Sequence, residues 1–185
     1  MKLKGLLLSL TAAAVILTGC GSKGTQNNDA KKEGEKNPDV VSGASIAKDE
    51  QSLEKALSKD GTWIIVLKSD LTSSKELVME GEFTKADKND ASKKVPAGRK
   101  LALYDQDDKR NKTASYTLKA PKLTIKSENA KIQGGTFVGD VYVEAKDFSI
   151  VDGKVEGNVY FANEEAQKTF KTDKGTVTGK TEIKK

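Results

Sequence analysis

From residue 46 onward the apolar positions recur first with one period and then with another. Leu53, Ala56 and Leu57 fall at i, i+3 and i+4, on one face of a short helix. Asp49 stands where that helix would begin, with a side-chain oxygen to accept from first-turn amides, and Gly61 follows as its stop. The period then shortens. Trp63-Ile64-Ile65-Val66-Leu67, Leu77-Val78-Met79 and Leu101-Ala102-Leu103-Tyr104 are brief apolar runs between polar turns, the pattern of strands. Residues 84–100, which include Lys85, Lys88, Lys93, Lys94, Arg99, Pro96 and Gly98, are too charged for a core and are expected to form an exposed loop or excursion, as are residues 105–113.

Near the C-terminus a pattern recurs three times. Gly135, Gly139 and Val141 are matched by Gly153, Gly157 and Val159, then by Gly175, Gly179 and Thr181, at offsets of 18 and 22 residues. Repeats of that length built from short strands predict a parallel β-solenoid, in which each turn stacks on the one before. Alternation points Phe137, Val141 and Val143 inward over Val155, Val159 and Phe161, and points Val138, Asp140 and Tyr142 outward above Glu156, Asn158 and Tyr160. Leu123, Ile125 and Ile132 fit an earlier turn, and Phe148 and Ile150 a strand between the first two copies. The glycines suit sharp corners or close approaches. The longer second offset predicts a loop over residues 163–171, and the polar Thr181 and Glu182 mark a stack that is running out.

The Gly-x-x-x-Gly-x-Val spacing is similar to that of bactofilins, β-helical proteins that polymerise end to end. The helix leading into Trp63-Ile64-Ile65-Val66-Leu67 resembles the N-terminal cap of right-handed β-helices of the pectate-lyase type. The fold class expected is therefore mainly β: a single-stranded right-handed parallel β-helix with a short N-terminal capping α-helix, over residues 46–185. The first resemblance implies self-assembly. The second implies carbohydrate chemistry at an acidic calcium cluster with a basic neighbour, for which no residue-by-residue match exists here.

The other end of the chain carries a different signal. Lys2 and Lys4 precede an apolar stretch over residues 6–17 that is short for a membrane span, and Leu17-Thr18-Gly19-Cys20 resembles the lipobox of bacterial lipoproteins. That resemblance implies a signal peptide cleaved after residue 19, lipid on Cys20 and a position on the extracytoplasmic face of a membrane. Cys20 is the single cysteine, so it has no intramolecular disulfide to make. Residues 20–45 are rich in Gly, Ser, Asn, Lys and Glu and read as a flexible tether.

Charge and composition narrow the function. The formal charge of +5 becomes +3 once Lys2 and Lys4 leave with the signal, a mild lysine excess that does not imply nucleic acid. The chain contains no histidine, which removes the commonest general base and most zinc sites, and no cofactor is called for. Among outward residues, Asp140 and Asn158, with Lys180 below and Asp152 nearby, are candidates for a cation or a glycosidic bond. Tyr142 and Tyr160 form an expected two-ring ladder for sugar rings or a partner protein. Asp105-Gln106-Asp107-Asp108 and Asp87-Lys88-Asn89-Asp90 are similar to calcium loops, but Lys109 and Ala91 occupy the third oxygen position of each, so neither is an EF-hand. Residues 168–185 carry six lysines and could lie against anionic wall polymer or lipid.

These observations lead to a lipid-anchored envelope protein whose solenoid binds or scaffolds without catalysis, its partners the membrane and an envelope polysaccharide or protein. The alternatives are a carbohydrate-active β-helix enzyme using surface carboxylates such as Asp140 and Asp152, and a self-assembling bactofilin-like protein.

Overall fold

The computed structural model describes residues 44–184. The expected signal peptide, Cys20 and nearly all of the expected tether lie outside the described residues. The first described segment is β1 (Ala44–Ala47), followed by α1 (Glu50–Leu57), β2 (Ile64–Leu67), β3 (Leu71–Thr72) and β4 (Leu77–Met79). A hairpin of β5 (Phe83–Ala86) and β6 (Lys94–Ala97) leads to β7 (Lys100–Ala102), and a second of β8 (Tyr104–Gln106) and β9 (Lys112–Ser115) leads away from it. Then come β10 (Thr117–Ile125), β11 (Lys131–Gln133), β12 (Thr136–Val143), β13 (Ser149–Val151), β14 (Lys154–Glu156) and β15 (Val159–Phe161). After α2 (Glu164–Thr169), the chain finishes in β16 (Lys171–Asp173), β17 (Thr176–Val177) and β18 (Thr181–Ile183).

These strands form a β-solenoid. One face is a parallel sheet in the order β1-β2-β7-β11-β13-β16; a second, eight-stranded sheet contains β3, β4, β10, β12, β14, β15, β17 and β18. Side chains that must leave water stack in columns, one rung over the next. Ile65, Leu101, Ile132 and Ile150 form one column, and Leu77, Leu123, Val141 and Val159 another, each residue fully buried or nearly so. The expected pairing of Phe137 with Val155, Val141 with Val159 and Val143 with Phe161 is the observed register. So is the offset to the third copy, which pairs Val155 with Val177 and Val159 with Thr181. The long strands bend at one corner, where β10 shifts register between Lys119 and Lys122 and where β12 carries Gly139 at φ 139°. A Cβ on Gly139 would run into the Ala120 carbonyl oxygen of the neighbouring rung, so only glycine lets the corners nest.

Asp49 caps α1, accepting from the Ser52 amide at 2.7 Å while the Ser52 hydroxyl accepts from the Asp49 amide. Leu53, Ala56 and Leu57 are buried in the common core. The C-terminal end of α1 is held by Arg99, whose guanidinium is only 1% exposed. It donates to the carbonyls of Ala56, Leu57, Ser58, Thr62 and Glu80 and lies 4.7 Å over the Phe83 ring. Burial pulls its pKa down to about 10, against the pull of Glu80, so it remains charged at neutral pH. The cation thus meets the negative end of the helix dipole inside the protein.

Two readings of the polar segments need correction. Residues 84–100 and 105–113 do leave the stack as excursions, but as antiparallel hairpins in place of loops, with Lys100 inside β7. The aspartates in their turns accept local amides: Asp87 from Asn89 and Asp90, Asp107 from Asn111. Residues 163–171 are not a loop. Asn163 caps α2 by accepting from the Ala166 amide at 2.8 Å, Ala166 is buried, and Phe170 packs against Phe148 and Phe161 at ring distances of 5.8 and 5.3 Å. Among the described residues no helix is long and apolar enough to cross a membrane.

Candidate functional site

The residues singled out in the repeat divide into separate structural roles. Asp140 Oδ1 accepts from the Asn158 amide and from Asn158 Nδ2, both at 2.9 Å, and Asn158 Oδ1 accepts from the Lys180 amide at 2.9 Å. This ladder runs down the corner where the sheet is interrupted, and its side-chain oxygens take amides that the broken strand pairing leaves over. Lys180 joins through its backbone, and its ammonium lies 3.9 Å from Glu182. Tyr142 pairs in register with Tyr160, and both rings are half-buried. The Tyr142 hydroxyl donates to the Lys184 carbonyl at 3.1 Å, and the Lys184 ammonium sits 4.4 Å over the Tyr160 ring. The last strand therefore covers part of the ladder. The C-terminal lysines make local contacts as well, Lys168 with Glu164 at 2.8 Å. Asp152 lies elsewhere, bonded to Lys112 at 2.8 Å.

Asp152 lines a cleft of about 620 Å³. Its floor is the outward face of the six-stranded sheet. Register places Ile64 beside Lys100 and Val66 beside Ala102, with Gln133 on the next rung. Its walls are the two hairpins, which spring from opposite ends of the three-residue strand β7 and stand over the floor. Lys85 and Lys88 come from the first; Tyr104, Asp105, Gln106, Arg110 and Lys112 come from the second. Trp63 lines the cleft, with the Lys85 ammonium 5.4 Å from its ring centre.

Tyr104 is seated by a missing side chain. Gly134, at φ 89°, has no Cβ, and one placed there would collide with the Tyr104 ring. Burial, reinforced by the charge of Asp152, raises the Tyr104 pKa, so the phenol stays protonated at neutral pH. Asp105 is fixed from two sides, by Lys68 at 2.5 Å and by the Tyr116 hydroxyl at 2.6 Å, and these bonds hold its carboxyl below the ordinary value. The same bond raises Tyr116. The cleft therefore presents six cationic side chains, Lys68, Lys85, Lys88, Lys100, Arg110 and Lys112, against two carboxylates. With Ile64, Val66 and Ala102 in its floor and two aromatic rings in its lining, it combines positive charge with apolar surface.

Reading the chain as a string of elements missed this site, yet a signal was present. Trp63-Ile64-Ile65-Val66-Leu67 does not alternate, and an unbroken apolar run means that both faces of the strand are covered. Ile65 and Leu67 face the core, while Ile64 and Val66 line the cleft. The acidic cluster called for by the pectate-lyase resemblance is not assembled: no group of three or more metal-binding side chains occurs among the described residues.

The chain is a β-solenoid with a basic cleft on one face. Comparison with protein-family models, with curated proteins and with solved structures finds no match for it.

Proposed function

We propose that this protein is a lipid-anchored, non-enzymatic binding protein of the cell envelope, and that its ligand enters the cleft between the hairpins. The observation that carries the reading is the surplus of cations over carboxylates in a cleft of ligand size with an apolar floor. Lipidation at Cys20 would hold the solenoid at the membrane, and the tether would let it reach polymer above the headgroups. The carboxylates named for catalysis have other partners here: Asp140 serves the corner ladder and Asp152 pairs with Lys112.

Two measurements test the proposal. Metabolic labelling with a fatty acid, followed by fractionation, should place label and protein in the membrane fraction, and Cys20→Ala should lose both. Immobilised full chain should retain polymer from an isolated envelope fraction, and the paired variant Lys88→Glu with Arg110→Glu should not. Release of shortened polysaccharide chains by the purified protein would overturn the non-enzymatic part.

A further inference from the structure

We infer that the ligand of this cleft is a segment of a linear anionic glycan, held with its charges toward both hairpin walls and its sugar faces on the floor. The inference rests on the binding reading above and names its ligand class. Three features support it.

The cations are dispersed, not convergent. Lys85 and Lys88 stand on one wall, Arg110 and Lys112 on the other, Lys100 on the floor, and Lys68 comes from the end of β2. A single phosphate could meet only a few of these at once, whereas a chain with spaced charges can meet most of them. Beside Lys100 and Gln133 the floor offers apolar surface from Ile64, Val66 and Ala102, with Trp63 and Tyr104 in the lining. The C–H faces of sugar rings suit such a surface, and hydrated inorganic anions do not. The amides of Gln106 and Gln133 border the same space and can both donate to and accept from ring hydroxyls.

The two carboxylates sharpen the inference. Asp105 and Asp152 hold Lys68 and Lys112 in place, and they also oppose an incoming anion. Removing the charge of Asp152 should therefore strengthen binding, because Lys112 then keeps only its bond to the Gly134 carbonyl beside the ligand. Asp105 is the poorer probe, since it also fixes Tyr116.

Isothermal titration of the full chain in neutral detergent tests this with four probes: a short oligogalacturonate, an oligomer of phosphodiester-linked hexoses, a neutral maltooligosaccharide and a single-stranded DNA oligomer. Binding of either anionic glycan, without the neutral one, is expected, and the tighter of the two tells carboxylate from phosphodiester. Affinity should fall steeply with added salt. Lys88→Glu with Arg110→Glu should weaken binding about tenfold or more. Asp152→Asn should tighten it by roughly two- to fivefold. A control with Lys119→Glu and Lys126→Glu, exposed residues in and just after β10 of the eight-stranded sheet, should leave affinity unchanged. Equal binding of the DNA oligomer, equal weakening by the control pair, or no affinity for either anionic glycan would each overturn the inference. The last result, together with retained envelope polymer, would remove the ligand class and leave the binding reading standing.

Discussion

The C-terminal rungs, from β12 to β18, and the rung built on β7 use the same solenoid plan to different ends. In the former, the strands follow one another through short corners except where α2 stands between β15 and β16, outward side chains such as Asp140 and Tyr142 are spent on neighbours, and the Asp140–Asn158–Lys180 ladder closes the interruption in the sheet. In the latter, both ends of a three-residue strand open into hairpins, and the outward face between them lines the cleft. Regular stacking makes a scaffold. Its interruption makes a cleft. The comparison teaches that these rungs, though easiest to see, contribute only Asp152 to the lining of the basic cleft.

The largest effect should come from the root of the irregular rung. Arg99→Ala would leave five carbonyls without their donor and empty the space under α1, at a cost of about 3–5 kcal/mol by chemical denaturation. Arg99→Lys should recover only part of this, because one ammonium cannot span the same carbonyls. In the regular rungs, Phe137→Ala should cost about 3–5 kcal/mol through the cavity it leaves. If Arg99→Ala proved nearly neutral, the irregular rung would not depend on its buried cation.

A smaller effect separates scaffold from site. Asp140→Ala should cost about 1–3 kcal/mol, since the Asn158 amide loses its acceptor, and should leave ligand affinity unchanged. A loss of affinity with intact stability would move the site to the corner ladder.

Acidification gives a further contrast. Hydrogen bonds from Lys68 and Tyr116 lower the pKa of Asp105, and those from Ser73 and Ser74 lower that of Glu50, from ordinary values of 3.8 and 4.5. A carboxylate depressed in the folded state contributes stability that is present above its unfolded pKa and lost as pH falls through the folded one. Thermal midpoints should therefore be level from neutrality down to about pH 5 and fall below it. Asp105→Asn should flatten that fall. The smallest change in stability should accompany Lys88→Glu with Arg110→Glu, within about 1 kcal/mol, because both side chains are exposed and exposed charge contacts contribute little.

How much of this was legible depends on what each segment buries. The stack could be read because inward residues repeat at alternate positions and turns recur at fixed offsets, so Phe137, Val141 and Val159 declare their face. The hairpins could not, because their strands bury almost nothing. In β5, Phe83 is half-buried and Thr84, Lys85 and Ala86 are exposed, which leaves no apolar period to detect. Helix α2 buries Ala166 alone within the helix, and its one clear sign was Asn163 at the cap. The cleft draws on several separate segments, and no local window contains it. Only the unbroken apolar run at Trp63 announced that something covers the outer face of β2.

Strand β7 also has a consequence for how such a protein could diversify. With its side chains committed to neighbouring rungs and its two ends committed to hairpins, it behaves as a socket, and the hairpin tips behave as interchangeable inserts. Tip sequences could be lengthened, shortened or grafted from a relative without disturbing a single column of the core. If the cleft binds polymer as proposed, a new preference would need only about a dozen surface replacements on an unchanged frame.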